Sequence, residues 1–326
     1  MFPDKLKQGG EIRVVSPAES LSIIADDQRK LASQRLEQLG VRVSYSTYAE
    51  VNDDSALSQS IEKRVADLHE AFNDERVTMI LTTIGGFDSN QLLRYLDYDL
   101  IHQNPKIFCG FSDITILSNA IYQKTGLVTY NGPHFSTFGM KKGIEYTWDH
   151  FRQMFTQQAP YFIEQADHWS DDRWFLDQEN RQFYTNDGYA VINEGSATGR
   201  TLGGNLCTLN LLQGTEFMPD LENTILFLED DEMTISQTFD RDLQSLIHQP
   251  GFDRVQGLVI GRFQKESNVS LDHIHTIIKS KQELSNIPVI AQASFGHTTP
   301  QFTFPIGGKA AIQASGQKAS IQMIEY

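Results

Sequence analysis

The stretch IFCGFSDITIL, residues 107–117, breaks an apolar run at Phe111, places Ser112-Asp113 at the break, and resumes as a helix-like run. A serine fits there in two ways. It is a preferred helix N-cap, its hydroxyl accepting an N–H of the first turn. It is also a candidate nucleophile, because a strand-to-helix turn exposes the hydroxyl and sets backbone N–H groups beside it. Those donors can hold the oxyanion that forms when a carbonyl is attacked. A free serine hydroxyl is a poor nucleophile; it needs a base to take its proton and a third group to orient that base. GFSD lacks the second glycine of the GxSxG elbow, so the local string leaves both readings open.

Candidates for the two missing partners lie further along. Glu229 closes the apolar run ILFLE, a position from which a carboxylate can orient a histidine through its ring N–H. Three more acids follow it, so a solvated acidic turn and a Mg²⁺ site built from several carboxylates stay open. His297 follows Gly296 and precedes Thr298-Thr299-Pro300, on a loop after a late strand, where an exposed, inert histidine is the alternative. Gly85-Gly86 end another apolar run. A backbone without side chains can approach a ligand closely, and the Gly86 N–H could join that of Asp113 as a two-donor oxyanion hole. The alternative is a turn that merely needs positive φ.

The elements that must position these residues follow from periodicity. In the first half, strand-like runs (EIRVVSP, VRVSYS, VTMILTTIGG, KIFCGF, LVTYNGP) alternate with helix-like ones. Ala32, Leu36 and Leu39 share a face ahead of Gly40; Ile61, Val65, Leu68 and Phe72 share another. FDSNQLLRYL and DITILSNAIYQKTG read as helices. Such alternation implies a parallel sheet, and nearly continuous apolar strands imply one covered on both faces. From about residue 156 to 199 the chain turns polar and aromatic-rich, with Trp169 and Trp174, and reads as a connecting region of loops and short strands. Alternation resumes near Arg200: GGNLCTLNLLQGT is helix-like, TILFLEDDE a strand, ISQTFDRDLQSLIHQPG a helix, and RVQGLVIGRF, IPVIAQASFGH and KASIQMIEY strands. The prediction is an α/β fold of two domains. An N-terminal, Rossmann-like parallel-sheet domain (1–155) carries Ser112, a connecting segment spans 156–199, and a C-terminal α/β domain (200–326) carries Glu229 and His297. In open α/β sheets, sites form at the carboxyl ends of strands, which is where all these candidates stand.

Composition removes several classes. With 27 basic against 42 acidic residues, the formal charge of -15 repels phosphate backbones, so nucleic acid is not an expected partner. No apolar run approaches membrane-spanning length, and the N-terminus lacks a signal-peptide core, which points to the cytoplasm. Cys109 and Cys207 both sit in apolar contexts and are expected to be buried free thiols; no CxxC supports a zinc site.

Taken together, TTIGGFDSNQLLRYLDYDLI, NPKIFCGFSDIT, LGGNLCTLNLLQGT, ILFLEDDE and FGHTTPQFTFPIG resemble, in this order and over nearly the whole chain, a family of serine peptidases. It includes the LD-carboxypeptidases and the microcin C immunity peptidases. The resemblance implies Ser112 as nucleophile, Glu229 as orienting acid, His297 as general base, and the N–H groups of Gly86 and Asp113 as oxyanion hole, in a cleft between the domains. It implies no metal and no cofactor, and a homodimer.

Two activities fit it. An LD-carboxypeptidase releases terminal D-alanine from a murein tetrapeptide. An immunity peptidase cuts the amide between a peptidyl or aminoacyl group and a modified nucleotide. The segment DHWSDDRWFLDQENRQF resembles the immunity branch more closely. Trp169 and Trp174 are the candidate substrate-binding residues, able to stack on a nucleobase or else simply to pack between the domains. Arg94, Arg200 and Arg262 are candidates for holding a substrate carboxylate. From a different class, a non-catalytic binder of small ligands or wall peptides could use Gly85-Gly86 for a phosphate, although no GxGxxG or GxxxxGK[ST] accompanies them.

Overall fold

The computed structural model describes residues 1–51, 60–157 and 160–326; residues 158–159 of the expected connecting segment thus lie outside it. Two sheets dominate. In the first, the order is Phe304–Ile306, Thr129–Asn131, Ile107–Gly110, Val77–Thr82, Glu11–Val15, Arg42–Tyr45. The last five run parallel; Phe304–Ile306, late in the chain, adds an antiparallel edge. The N-terminal strands therefore follow a doubly wound order, which reverses between Glu11–Val15 and Val77–Thr82. Val77–Thr82 is buried at every position but Thr78, as its nearly unbroken apolar run requires.

The second sheet has eight strands, with a parallel centre of Gly195–Asn205, Thr224–Glu229, Gly257–Gly261 and Val289–Ala293. Antiparallel strands flank it on both sides. Thr224–Glu229 is buried along its whole length, including its terminal carboxylate.

One helix joins the two sheets. Thr115–Thr125 follows directly on the Ser112 turn and ends at Gly126, whose φ of 72° suits a glycine. It docks on the carboxyl end of Gly195–Asn205: Thr115 Oγ1 accepts the Asn205 N–H at 3.0 Å, and Asn119 Nδ2 donates to the Gly203 carbonyl at 2.8 Å. Gly203 and Gly204 make this approach possible. They sit at φ 126° and 122°, and a Cβ on Gly204 would strike Thr115 Oγ1. The serine turn is thereby held in fixed relation to the second sheet.

The chain departs from its sequence pattern in four places. Gly195–Asn205, GSATGRTLGGN, is an eleven-residue central strand that glycine and small polar residues conceal; only Leu206–Asn210 of the helix-like run after it is helical. FDSNQLLRYL holds a single 3₁₀ turn, Ser89–Leu92, and the helix begins later, at Tyr98–Gln103. Glu145–Thr156 forms a helix where the sequence reading names no element. Cys109 is a buried free thiol as expected, but Cys207 is exposed, because the short helix after Asn205 turns it away from the core.

Candidate active site

Ser112 lies at φ 59°, an unusual conformation for a residue with a side chain, on the 3₁₀ turn Ser112–Ile114. Among the described residues its hydroxyl caps no helix N–H; Oγ lies 3.0 Å from His297 Nε2. His297 Nδ1 lies 2.7 Å from Glu229 Oε2. The carboxylate fixes the proton of a neutral imidazole on Nδ1, which donates to Glu229 and leaves Nε2 to accept the Ser112 hydroxyl proton. The serine comes from the first sheet and the acid and imidazole from the second, so neither unit holds the constellation alone.

Glycines shape the second half of this arrangement. Gly296, at φ 92°, lets the loop wrap over Glu229; a Cβ there would collide with the carboxylate. A Cβ on Gly261 would lie 2.7 Å from that of Glu229. The acid is consequently 1 % exposed, and so is Asp230 beside it. The EDDE run is therefore not a solvated turn at its first two positions.

The electrostatics follow from that enclosure. Burial pulls the His297 imidazolium down, but the charge and hydrogen bond of Glu229, with Asp231 and Asp230 behind, outweigh it and raise the group to about 9. Asp230 is raised to about 7 by burial, then by the charges of Glu229 and Asp231. Asp230, Asp231 and Cys207 are the one group among the described residues whose ligand atoms cluster as a metal would need. Although the Cys207 residue as a whole is exposed, its Sγ faces inward: the thiol donates to Asn205 Oδ1 at 3.0 Å, and the enclosure of the sulfur, then the charges of Asp230 and Asp231, push its pKa up, which keeps it protonated.

Gly85 and Gly86 lie where the doubly wound order reverses, against the loop after the first strand. A Cβ on Gly86 would meet that of Ala18 at 2.9 Å, and one on Gly85 would lie 3.0 Å from Ser112 Oγ. The Gly85 carbonyl accepts the Glu19 N–H at 3.2 Å, while the N–H groups of Gly86 and Asp113 are spent on no backbone carbonyl among the described residues. Asp113 thus belongs to the nucleophile's turn and Gly86 follows the glycine that abuts it, and among the described residues no backbone carbonyl occupies either N–H.

His134 is a neighbour that periodicity did not single out. It follows the strand Thr129–Asn131 and stacks 4.3 Å from Phe111, whose other neighbour, at 5.2 Å, is the His297 ring. Its Nδ1 lies 2.7 Å from Thr82 Oγ1. Burial, and then the charge of His297, press it down to about 3, so it stays neutral. The signal available in the sequence was its place just past the carboxyl end of the strand beside that of Ser112.

The connecting segment carries both tryptophans and ties one of them, Trp169, to the loop of the candidate site. Ser170 and Thr299 exchange two backbone hydrogen bonds, at 2.7 and 2.8 Å, which ties Trp169 to the His297 loop. The Trp169 ring packs 5.2 Å from Tyr184 and carries the Arg262 guanidinium 4.8 Å above it. Trp174 packs edge-on against Phe175, and its neighbour Arg173 pairs with Glu232 at 3.7 Å. Among the described residues neither ring stacks on a member of the triad. Of the three arginines, Arg262 stands at the carboxyl edge of the second sheet, bound to Gln292 and Asn186. Arg200 lies in the middle of its strand, paired with Thr224 at the amino end of Thr224–Glu229, and donates to the Asp220 carbonyl at 2.7 Å; Arg94 is exposed.

Two α/β units that join a serine, an imidazole and a buried carboxylate have the architecture of a two-domain serine hydrolase. The model of the LD-carboxypeptidase N-terminal domain matches residues 12–132, and that of the C-terminal domain matches residues 198–312. The chain belongs to the LD-carboxypeptidase family and is a serine-type carboxypeptidase. It is 59 % identical to a putative carboxypeptidase, YocD, of Bacillus subtilis, over 96 % of each chain. The crystal structure of an MccF-like protein from Bacillus anthracis superposes with a TM-score of 0.98 at 57 % identity, covering 100 % of both. A structure of MccF in complex with glutamyl sulfamoyl guanosine superposes at 0.88 with 30 % identity, covering 99 % of this chain and 98 % of that one. No helix among the described residues is long and apolar enough to cross a membrane.

Proposed function

We propose that this protein hydrolyses the amide between an aminoacyl or peptidyl group and a modified nucleotide, through an acyl-enzyme on Ser112. The observation that carries the reading is the continuous hydrogen-bond chain from Ser112 Oγ through His297 to Glu229, at 3.0 and 2.7 Å. As Oγ attacks the carbonyl, Nε2 takes its proton. The oxyanion accepts the N–H groups of Gly86 and Asp113, and the imidazolium is stabilised by Glu229. His297 then returns the proton to the leaving amine, takes one from water, and the hydroxide releases the acyl group from Ser112.

Support for a nucleotide substrate comes from the MccF relative bound to an aminoacyl-nucleotide analogue. Trp169 and Trp174 are the proposed stacking residues, and Trp174 has the freer ring, since Arg262 and Tyr184 already occupy Trp169. The second reading, release of D-alanine from a murein tetrapeptide, is favoured by the family models themselves. The proposed setting is a cytoplasmic homodimer, which light scattering of the purified protein would test for its oligomeric part.

A paired hydrolysis assay read by mass spectrometry decides between the substrates. One reaction holds aspartyl-sulfamoyl-adenosine, the other a murein tetrapeptide, each with Ser112→Ala beside it. Release of the nucleoside alone supports the proposal, and release of D-alanine alone replaces it with the second reading. Ser112→Ala should lose on the order of 10⁴-fold or more; undiminished hydrolysis would remove the triad from the account.

A further inference from the structure

The two N–H donors of the proposed oxyanion hole belong to different chain segments. Gly86 follows the strand Val77–Thr82, and Asp113 follows the strand Ile107–Gly110. Their separation is critical, because donors act only at about 2.7–3.1 Å from the oxyanion and tolerate an error of about half an ångström. The strand ladder ends before either loop begins: its last register pair is Leu81 with Cys109.

Beyond that ladder, a reciprocal pair of hydrogen bonds joins the loops. The Asp113 carboxylate accepts the Ser89 N–H at 2.9 Å, and Ser89 Oγ–H donates to the Asp113 carbonyl at 2.9 Å. Ser89 is 0 % and Asp113 3 % exposed. The Ser89 side is held from behind as well. Its neighbour Asp88 pairs with the buried Arg64 guanidinium at 2.9 Å, and the same nitrogen donates to the Pro17 carbonyl at 3.1 Å. Arg64 thereby ties the Gly85–Ser89 loop to the Pro17–Glu19 loop on which Gly86 rests. Burying a guanidinium is costly until its partners offset the lost hydration, and an apolar side chain would fill the same space. An arrangement that costly, spent on joining two loops, indicates that their relative position matters.

We propose that Ser89 is a positioning residue for the reaction. Through its two bonds to Asp113, it sets the distance between the Gly86 and Asp113 N–H groups and holds the turn that keeps Ser112 at positive φ. The inference rests on the reading of Ser112 as nucleophile and extends it to residues that touch no substrate.

The test uses the full-length protein and whichever of the two substrates it turns over. Ser89→Ala and Asp113→Ala should lower kcat about 10- to 100-fold, with KM within about twofold. Each should weaken a peptidyl boronic acid, which forms a tetrahedral adduct on Ser112, by the same factor, while affinity for the unreactive acyl product stays unchanged. Asp113→Asn, which keeps an acceptor of the same shape, should recover most of the rate. A merely structural role would instead lower product affinity and boronate affinity together. That pattern, or an undiminished kcat in folded Ser89→Ala, overturns the proposal. Should Ser89→Ala not fold, Ser89→Cys keeps the volume but donates weakly, and it carries the same expectation. Ser112→Ala, run in parallel, separates the two levels. If it abolishes hydrolysis while Ser89→Ala does not slow it, only the positioning role fails; if it leaves hydrolysis intact, the nucleophile assignment fails first.

Discussion

Replacing Glu229 by glutamine removes one charge from the most enclosed carboxylate of the triad and keeps its shape. Glu229 is 1 % exposed, so solvent does not screen its effect on His297. The imidazole stands at about 9 against an ordinary 6.5. At about 1.4 kcal/mol per pH unit, that rise corresponds to roughly 3 kcal/mol in favour of the imidazolium, after burial has taken its share. His134 gives the comparison within the same molecule: buried and without a carboxylate partner, it lies at about 3. In Glu229→Gln, burial acts on His297 with only Asp230 and Asp231 left to oppose it, and the group should titrate at or below its ordinary value.

A nitrogen-detected NMR titration of the histidine side chains reads this directly. The wild-type kcat/KM profile should rise with pH and level off above about 9, where Nε2 is free to accept the serine proton. In the variant the plateau should begin near neutrality, at a height lower by about 10⁴, because the glutamine amide no longer enforces the Nδ1–H tautomer. The same shift is a stability term. Since the folded pKa is raised, the stabilisation is fully present below about 6.5 and is lost as pH rises through about 9; urea unfolding of Glu229→Gln should lack that slope. A His297 midpoint that stays near 9 in the variant would refute the reasoning, since the charge would then not come from Glu229.

Further expectations follow from single contacts. Asp230→Asn should flatten the loss of stability between about pH 4 and 7, because an acid raised to about 7 stabilises the fold when protonated and loses that contribution as pH rises through its folded value; pH-dependent urea unfolding measures it. Gly203→Ala puts a Cβ on the Phe227 carbonyl at φ 126° and should cost more than about 3 kcal/mol, or prevent folding, by the same unfolding assay. Trp174→Ala should raise KM for a nucleoside amide by about 10-fold, the value of one base stack, and leave KM for a murein tetrapeptide unchanged; equal effects on both substrates would assign the ring to packing.

Much of this protein is legible along the chain. Apolar runs without interruption, such as MIL before Gly85 and ILFL before Glu229, mark strands buried on both faces, and their breaks mark the edge where side chains meet ligands. Hence Ser112, Gly86, Glu229 and His297 could be placed at strand ends from local pattern. The strand Gly195–Asn205 could not, because its glycines serve contacts with Phe227 and Thr115 that exist only once the sheets have met. His134, Ser89 and Arg64 escaped for a related reason: each is polar, so periodicity assigns it to the surface, yet each is buried against partners far off in sequence.

What the sequence by itself determined is the set of elements and the chemical types at their ends, because period and turn residues are local properties of a chain. The local string left Ser112 divided between capping a helix and attacking a carbonyl, and the ordered set of motifs pointed to the second through a family resemblance. Only the tertiary structure decided where that hydroxyl points, by carrying His297 across 185 residues of chain to within 3.0 Å of it and enclosing Glu229 behind the ring. Hydrogen bonds act over about three ångströms, a distance that no spacing in the sequence encodes.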